Sequence, residues 1–182
     1  MDKVALSNDQ LGRLGETAVA LELMKRGYDV INLNDPLRNY QHADLLCVSS
    51  KTGKSTMIQV KTGSTKNIQC GLTSTPSGEI ADLEEKVICP WVFVHVTLPK
   101  GDDDFKFDFY VLTREETIDL IRSSNDWYAN QAKTGRTLQK NIRVGVDVTW
   151  LEAEESKETK LFHPYRSTLK STSKGKWEKI SL

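Results

Sequence analysis

The chain has 182 residues, 38% of them hydrophobic and 27% charged, which is the length and composition of one soluble globular domain with its own core. Formal net charge is zero, so any attraction to nucleic acid must come from local patches rather than from the whole molecule. The three cysteines, Cys47, Cys70 and Cys89, are widely spaced with no C-x-x-C, and neither a signal-peptide core nor a membrane-spanning run is present. That combination argues for a reducing cytosol rather than a disulfide scaffold or a structural zinc site, and the protein reads as cytoplasmic with no membrane partner.

The spacing predicts a helix over residues 7–26. Ser7 and Gln10 stand three apart as a capping box, Leu11, Leu14, Ala18 and Leu21 recur at helical intervals, and Gly27 sits where a helix ends. Tyr28–Leu33 reads as a strand and Asp35–His42 as a polar loop. Asp44–Ser49 and Thr56–Thr62 read as two strands joined by a hairpin turn at Lys51–Lys54. Residues 63–78, rich in Gly, Ser and Thr, read as a loop, and Ser77 caps a short helix to about Val87. Trp91–Leu98 and Phe105–Leu112 are strands, Thr113 and Glu116 open a helix running to about Gln131, and residues 142–150 suggest a further strand. An acidic stretch follows (Glu152, Glu154, Glu155, Glu158), and then a tail from Arg166 to Leu182 with five Lys or Arg against one Glu. Residues 1–150 therefore form the core domain, and 151–182 a C-terminal extension packed on it.

Polar residues that interrupt apolar elements carry the chemistry. Asp44 heads the apolar run Leu45–Val48, and a carboxylate at the start of a buried strand needs a partner or a metal. Fifteen residues on, Gln59 and Lys61 share one face of a strand whose other face carries Ile58 and Val60. If the two strands form an antiparallel hairpin about residue 52, Asp44 lies near both. Glu16 shares its helix side with Gly12, Val19, Ala20 and Leu23; it reads either as a further oxygen ligand or as a solvated helix residue. Oxygen ligands beside a lysine suit a hard cation and a phosphodiester. Magnesium is held by few protein groups plus substrate phosphate, and a lysine can orient the attacking water or offset developing charge.

The segments GRLGETAVALELMKRGYDVI, HADLL and MIQVKTGS together resemble the PD-(D/E)XK nuclease superfamily, in its restriction-endonuclease-like and Holliday-junction-resolvase-like branches. The resemblance covers residues 8–98, roughly half the chain. It implies an α/β (α+β) fold with a restriction-endonuclease-like core: a helix, three antiparallel-leaning strands, a helix and a strand, in a central mixed sheet flanked by helices. It also implies metal-dependent endonuclease activity on DNA, leaving a 3′-hydroxyl and a 5′-phosphate. Asp44, Gln59 and Glu16 would hold Mg2+, with Mn2+ as a substitute, Lys61 would serve the water, and a homodimer would cut both strands. Two departures stand out. Position 59 carries glutamine where an acid is usual, and no proline precedes Asp44. A catalytically inactive nuclease-fold module that binds nucleic acid or a protein is therefore the alternative.

Among other polar residues, Ser64 and Thr65 either contact phosphate or end the strand. The tail residues Arg166, Lys170, Lys174, Lys176 and Lys179 form either a DNA-contacting surface or a solvated terminus, with Trp177 arguing that part of it packs. His95 reads as a core histidine, His42 as a loop residue, and Asp102–Asp104 as a turn rather than a calcium loop.

Overall fold

The computed structural model describes residues 5–34, 40, 42–75, 77–99, 104–132, 142–148 and 173–180, with no side-chain detail over 127–132 or at 142. Arg166, Lys170, the acidic stretch, and Asp102 and Asp103 lie outside the described residues.

Helix α1 spans Asn8–Met24 and opens on the expected capping box, the Ser7 hydroxyl accepting from Gln10 N while Gln10 Oε1 accepts from Ser7 N. Strands β1 (Tyr28–Asn32), β2 (Leu45–Ser49), β3 (Ser55–Gly63), β5 (Trp91–Thr97) and β6 (Lys106–Leu112) form a mixed sheet in the order β1-β2-β3-β5-β6. The β2–β3 hairpin is antiparallel, with Leu45 opposite Ile58 and Cys47 opposite Thr56, so the register carried one step further sets Asp44 against Gln59. β3 runs parallel to β5, with Gln59 opposite Trp91 and Lys61 opposite Phe93. Helix α3 (Arg114–Ala132) opens on the second expected capping box, between Thr113 and Glu116.

The alternation of β3 divides the molecule into two cores. Ile58 and Val60 point to the α1 side, where Leu11, Val19 and Leu23 pack on them with Leu45, Cys47 and the valines of β5. The opposite face carries Trp91, Phe93 and Tyr110 beneath Ile118, Leu120 and Ile121 of α3. Truncating one such residue, Leu23→Ala for example, costs about 2–5 kcal/mol through lost transfer energy and the cavity left behind. All three cysteines are buried, and burial pushes the thiols of Cys47 and Cys70 up to about 12 and that of Cys89 up to about 11, so they act as small core residues.

Three expectations need correction. The helix buries Leu11, Gly15, Val19 and Leu23, while Leu21 is 52% exposed. Gly15 explains the shift. A Cβ there would run into the side chain of Thr62, so a residue without one lets α1 lie close on β3. Residues 63–78 are not simply a loop: Asn67–Ser74 forms strand β4, which pairs antiparallel with β7 (Ile142–Asp147) in a separate two-stranded ribbon. Ser77 does not cap a helix running to Val87 either, because its hydroxyl bonds Thr75 and only Leu83–Lys86 (α2) is helical. Gly78 (φ 89°) and Asp82 (φ 56°) hold left-handed conformations that a helix spanning 77–87 cannot contain.

The tail does pack. Trp177 lies against Phe109 at 5.3 Å between ring centroids, with the Arg26 guanidinium over its ring, and Trp177 and Ile180 close the α1-side core. No helix among the described residues is long and apolar enough to cross a membrane.

Candidate active site

Asp44 and Gln59 are 8% and 6% exposed, so a charge at this point must find partners inside the protein. It does so through neutral donors. Asp44 Oδ2 accepts from the Val60 backbone N–H at 2.7 Å and from Gln59 Nε2, and Asp44 Oδ1 accepts from Asn34 Nδ2 at 3.1 Å. Main-chain bonds from Asp44 N to Ile58 O and from Leu33 N to Asp44 O stitch the residue into both neighbouring strands. The antiparallel register sets Asp44 beside Gln59, the neighbour that the sequence spacing leads one to expect, while the Asn34 and Leu33 contacts come from outside the hairpin.

Glu16 joins from the other layer. Its carboxylate accepts from Asn32 Nδ2 at 3.0 Å and from Asn34 Nδ2 at 3.5 Å. Asn34 therefore bridges Glu16 of α1 and Asp44 of the hairpin with one amide group. Burial holds the Glu16 carboxyl above its ordinary value of 4.5. The nearby Asp44 charge adds to that rise, while the bonds from Asn32 and Asn34 and the Arg13 charge oppose it. Glu16 is thus part of the cluster rather than a solvated helix residue.

Lys61 is placed differently. It lies two residues beyond Gln59 on the same face of β3, roughly 7 Å along the strand. Among the described residues its Nζ has no hydrogen bond or salt bridge. It stands 5.3 Å from the Trp91 ring centroid, and a Cβ built on Gly71 would come within 3.7 Å of it. Strand β4 thus passes beside the ammonium at its only glycine.

The remaining predicted residues divide. Ser64 and Thr65 follow Lys61 directly and line a cleft of about 520 Å³ between the ribbon and the start of α1. Lys174 and Lys176 are not brought to the cluster. Lys174 bridges to Tyr110 on the outer edge of β6, two strands beyond β3, and pairs with Asp108 at 2.8 Å, while Lys179 pairs with Glu116 at 2.8 Å. At about 4.8 Å per strand, Lys174 sits roughly 14 Å to one side of Lys61. His95 Nδ1 lies 3.8 Å from Asp108 Oδ2, and the His42 ring meets Tyr40 edge-on.

Sequence reasoning missed Asn32 and Asn34. The signal was present in Ile31-Asn32-Leu33-Asn34, where two amides two apart leave an apolar strand end on one side. It also missed Trp91 and Gly71, which flank Lys61 from elements distant in sequence.

A divalent cation fits this donor set in one respect and tests it in another. Asp44 Oδ1 and Glu16 Oε1 converge on the positive end of the Asn34 amide, so a cation taking its place would meet one oxygen from each carboxylate. Among the described residues no group of three His, Cys, Asp or Glu side chains gathers in one place, so a third ligand drawn from them is a neutral one. Gln59 qualifies once its amide turns over, because Oε1 and Nε2 occupy equivalent positions about the terminal torsion.

No protein-family profile and no curated protein matches the chain. Among solved structures it is similar to a bacterial homing endonuclease, I-Ssp6803I, with 15% identity and a TM-score of 0.45 over 97% of this chain and 92% of that one.

Proposed function

We propose that the chain is a metal-dependent endonuclease of the PD-(D/E)XK superfamily that hydrolyses DNA phosphodiester bonds. The observation that carries this reading is the convergence of Asp44 and Glu16, from two layers of the fold, on the single Asn34 amide, with Lys61 open on the same strand face as Gln59. Asp44 and Glu16 would hold Mg2+ or Mn2+, and Gln59 would add a neutral oxygen. When bound, the ion supplies neutralisation of phosphate charge and a more acidic water. Lys61 would orient the attacking water or offset the charge developing on the phosphate oxygens; among the described residues its Nζ has no carboxylate partner. Trp91 walls the ammonium on one side.

Supercoiled, branched and single-stranded DNA incubated with Mg2+ or Mn2+ tests the reading. Cleavage should yield 3′-hydroxyl and 5′-phosphate ends and disappear in Asp44→Asn and Lys61→Ala. Cleavage that persists in both variants removes the assigned site.

A second reading has its own support. Position 59 holds a neutral amide where the resemblance expects an acid, which leaves Asp44 and Glu16 to supply the negative charge of the cluster. A nuclease-fold module that binds nucleic acid or a protein without cutting needs nothing more. DNA binding that ignores divalent ions, together with an absence of Mn2+ binding, is the outcome that favours it.

A further inference from the structure

We propose that the β4–β7 ribbon reads base sequence by entering the major groove of duplex DNA, with Asn67, Gln69 and Arg143 as the contacting side chains. The inference rests on the nuclease reading for the site the ribbon would serve.

The ribbon has two unlike faces. Ile68, Cys70, Val144 and Val146 are buried in the core beneath it, while Asn67, Gln69, Thr73 and Arg143 are exposed on the other side, where they line the cleft that Ser64 and Thr65 share and that Asn8 and Leu11 of α1 border. Two strands about 4.8 Å apart, with no third strand among the described residues, match a groove about 12 Å wide that admits a two-stranded ribbon.

The outward side chains form an ordered array. Gly145 stands opposite Gln69, and a Cβ there would run into the Asn67 amide and come within 2.9 Å of Gln69 Nε2. The missing side chain lets both amides lie across the ribbon, where Gln69 Nε2 donates to Asn67 Oδ1 at 2.9 Å. That bond sets both orientations. It leaves Gln69 Oε1 as an acceptor and Asn67 Nδ2 as a donor, neither with a partner among the described residues. Adenine presents the complement in the major groove, an N6 donor beside an N7 acceptor. Arg143, opposite Thr73 on the same face, carries the fork that suits guanine O6 and N7.

Position relative to Lys61 ties this face to cleavage. The β4 register shifts between Gln69 and Leu72, where Gly71 takes φ 75° and passes beside the Lys61 ammonium. A duplex held by the ribbon therefore brings backbone phosphate toward Lys61. Ser64 and Thr65, in the same cleft, offer hydroxyls to that backbone. Duplex RNA, whose major groove is deep and narrow, should not bind this way.

The test is selection of bound duplexes from a library with a randomised core, in EDTA and again in Ca2+, followed by gel-shift titration of the selected sequence. The expected result is a motif containing adenine and guanine. Asn67→Ala/Gln69→Ala should erase the adenine preference and Arg143→Ala the guanine preference, each by roughly ten- to a hundredfold, with a smaller loss on an unrelated duplex. Arg143→Lys, which keeps the charge and loses the fork, should behave like Arg143→Ala and covers any failure of the latter to fold. Gly145→Ala should blur the adenine position alone. Selection without sequence preference, no binding to duplex DNA, equal binding of duplex RNA, or variants that keep the parental motif overturns the proposal. Plasmid cleavage in Mg2+ scores the nuclease reading separately. Cleavage with no ribbon-dependent preference sinks only the ribbon, and a ribbon-dependent motif without cleavage sinks only the nuclease.

Discussion

The polar row on β3 has two ends that solve opposite problems. At Gln59 a buried carboxylate, Asp44, is surrounded by neutral donors: an asparagine amide, a glutamine amide and a backbone N–H. At Lys61 a cation lies beside an aromatic ring and a glycine, with no anion in reach among the described residues. A buried hydrogen-bonded network is part of what holds the fold together, and removing one member leaves the others unsatisfied. An ammonium beside a ring and a glycine, with no anion among the described residues, contributes little to folding and can meet a charge that arrives from outside. The first end joins structure to chemistry, and the second is reserved for chemistry.

The largest separation between the ends should appear at Lys61. Lys61→Met keeps the stem and removes the charge. DNA cleavage should fall by about 10²–10⁴-fold, while the urea midpoint moves by less than about 0.5 kcal/mol equivalent. A large loss of stability in this variant would mean that the two ends do not differ.

Asp44→Ala should show the reverse emphasis. It strands the Val60 N–H and leaves Gln59 Nε2 and Asn34 Nδ2 with only their longer bonds to Val60 O and Glu16, and leaving buried donors unsatisfied costs about 1–3 kcal/mol each, less where water enters. A loss of about 3 kcal/mol in denaturant unfolding is expected, alongside loss of cleavage. Asp44→Asn, which keeps an acceptor oxygen, should recover part of the stability and none of the activity.

Glu16 gives the smallest effect and a defined sign. Its carboxyl is held above 4.5 in the fold, first by burial and then by Asp44, so the folded state binds this proton more tightly than the unfolded chain does. The contribution to stability is therefore full below the ordinary value and is lost as pH rises through the raised one. Glu16→Gln should flatten that decline in EDTA, by less than about 1 kcal/mol given the group's partial exposure. Unfolding free energies at about pH 4 and about pH 7 measure it, and added Mg2+ should flatten the parent's decline as well.

How much of this was legible depended on the range of the interaction. Both capping boxes and the β2–β3 register were readable because they are local: three residues in the caps, and one hairpin whose midpoint brings Asp44 to Gln59. β4 was not, although Ile68, Cys70 and Leu72 alternate inward. Its Gly, Ser and Thr neighbours imitate a loop, and its partner β7 lies far along the chain, beyond the reach of a local pattern. The buried stripe of α1 was misplaced because its contact residue is Gly15, which has no side chain and so no hydrophobic signal. In the site, the side chains with formal charge announced themselves. The amides that organise them did not, because Asn at a strand end reads equally well as a turn residue.

The central claim is that Asp44 and Glu16 hold a divalent cation, with Gln59 as a neutral third ligand. Calorimetric titration of Mn2+, with Mg2+ as competitor, tests it on the parent, Asp44→Asn, Glu16→Gln, Gln59→Glu and Gln59→Leu. The account predicts one site per chain in the parent, weakened in Glu16→Gln and Gln59→Leu, abolished in Asp44→Asn, and tightened in Gln59→Glu, where a second charge of on the order of 4 kcal/mol at 4 Å and an effective dielectric of about 20 is partly offset by desolvation. No binding by the parent, or binding that all four variants leave unchanged, would contradict it.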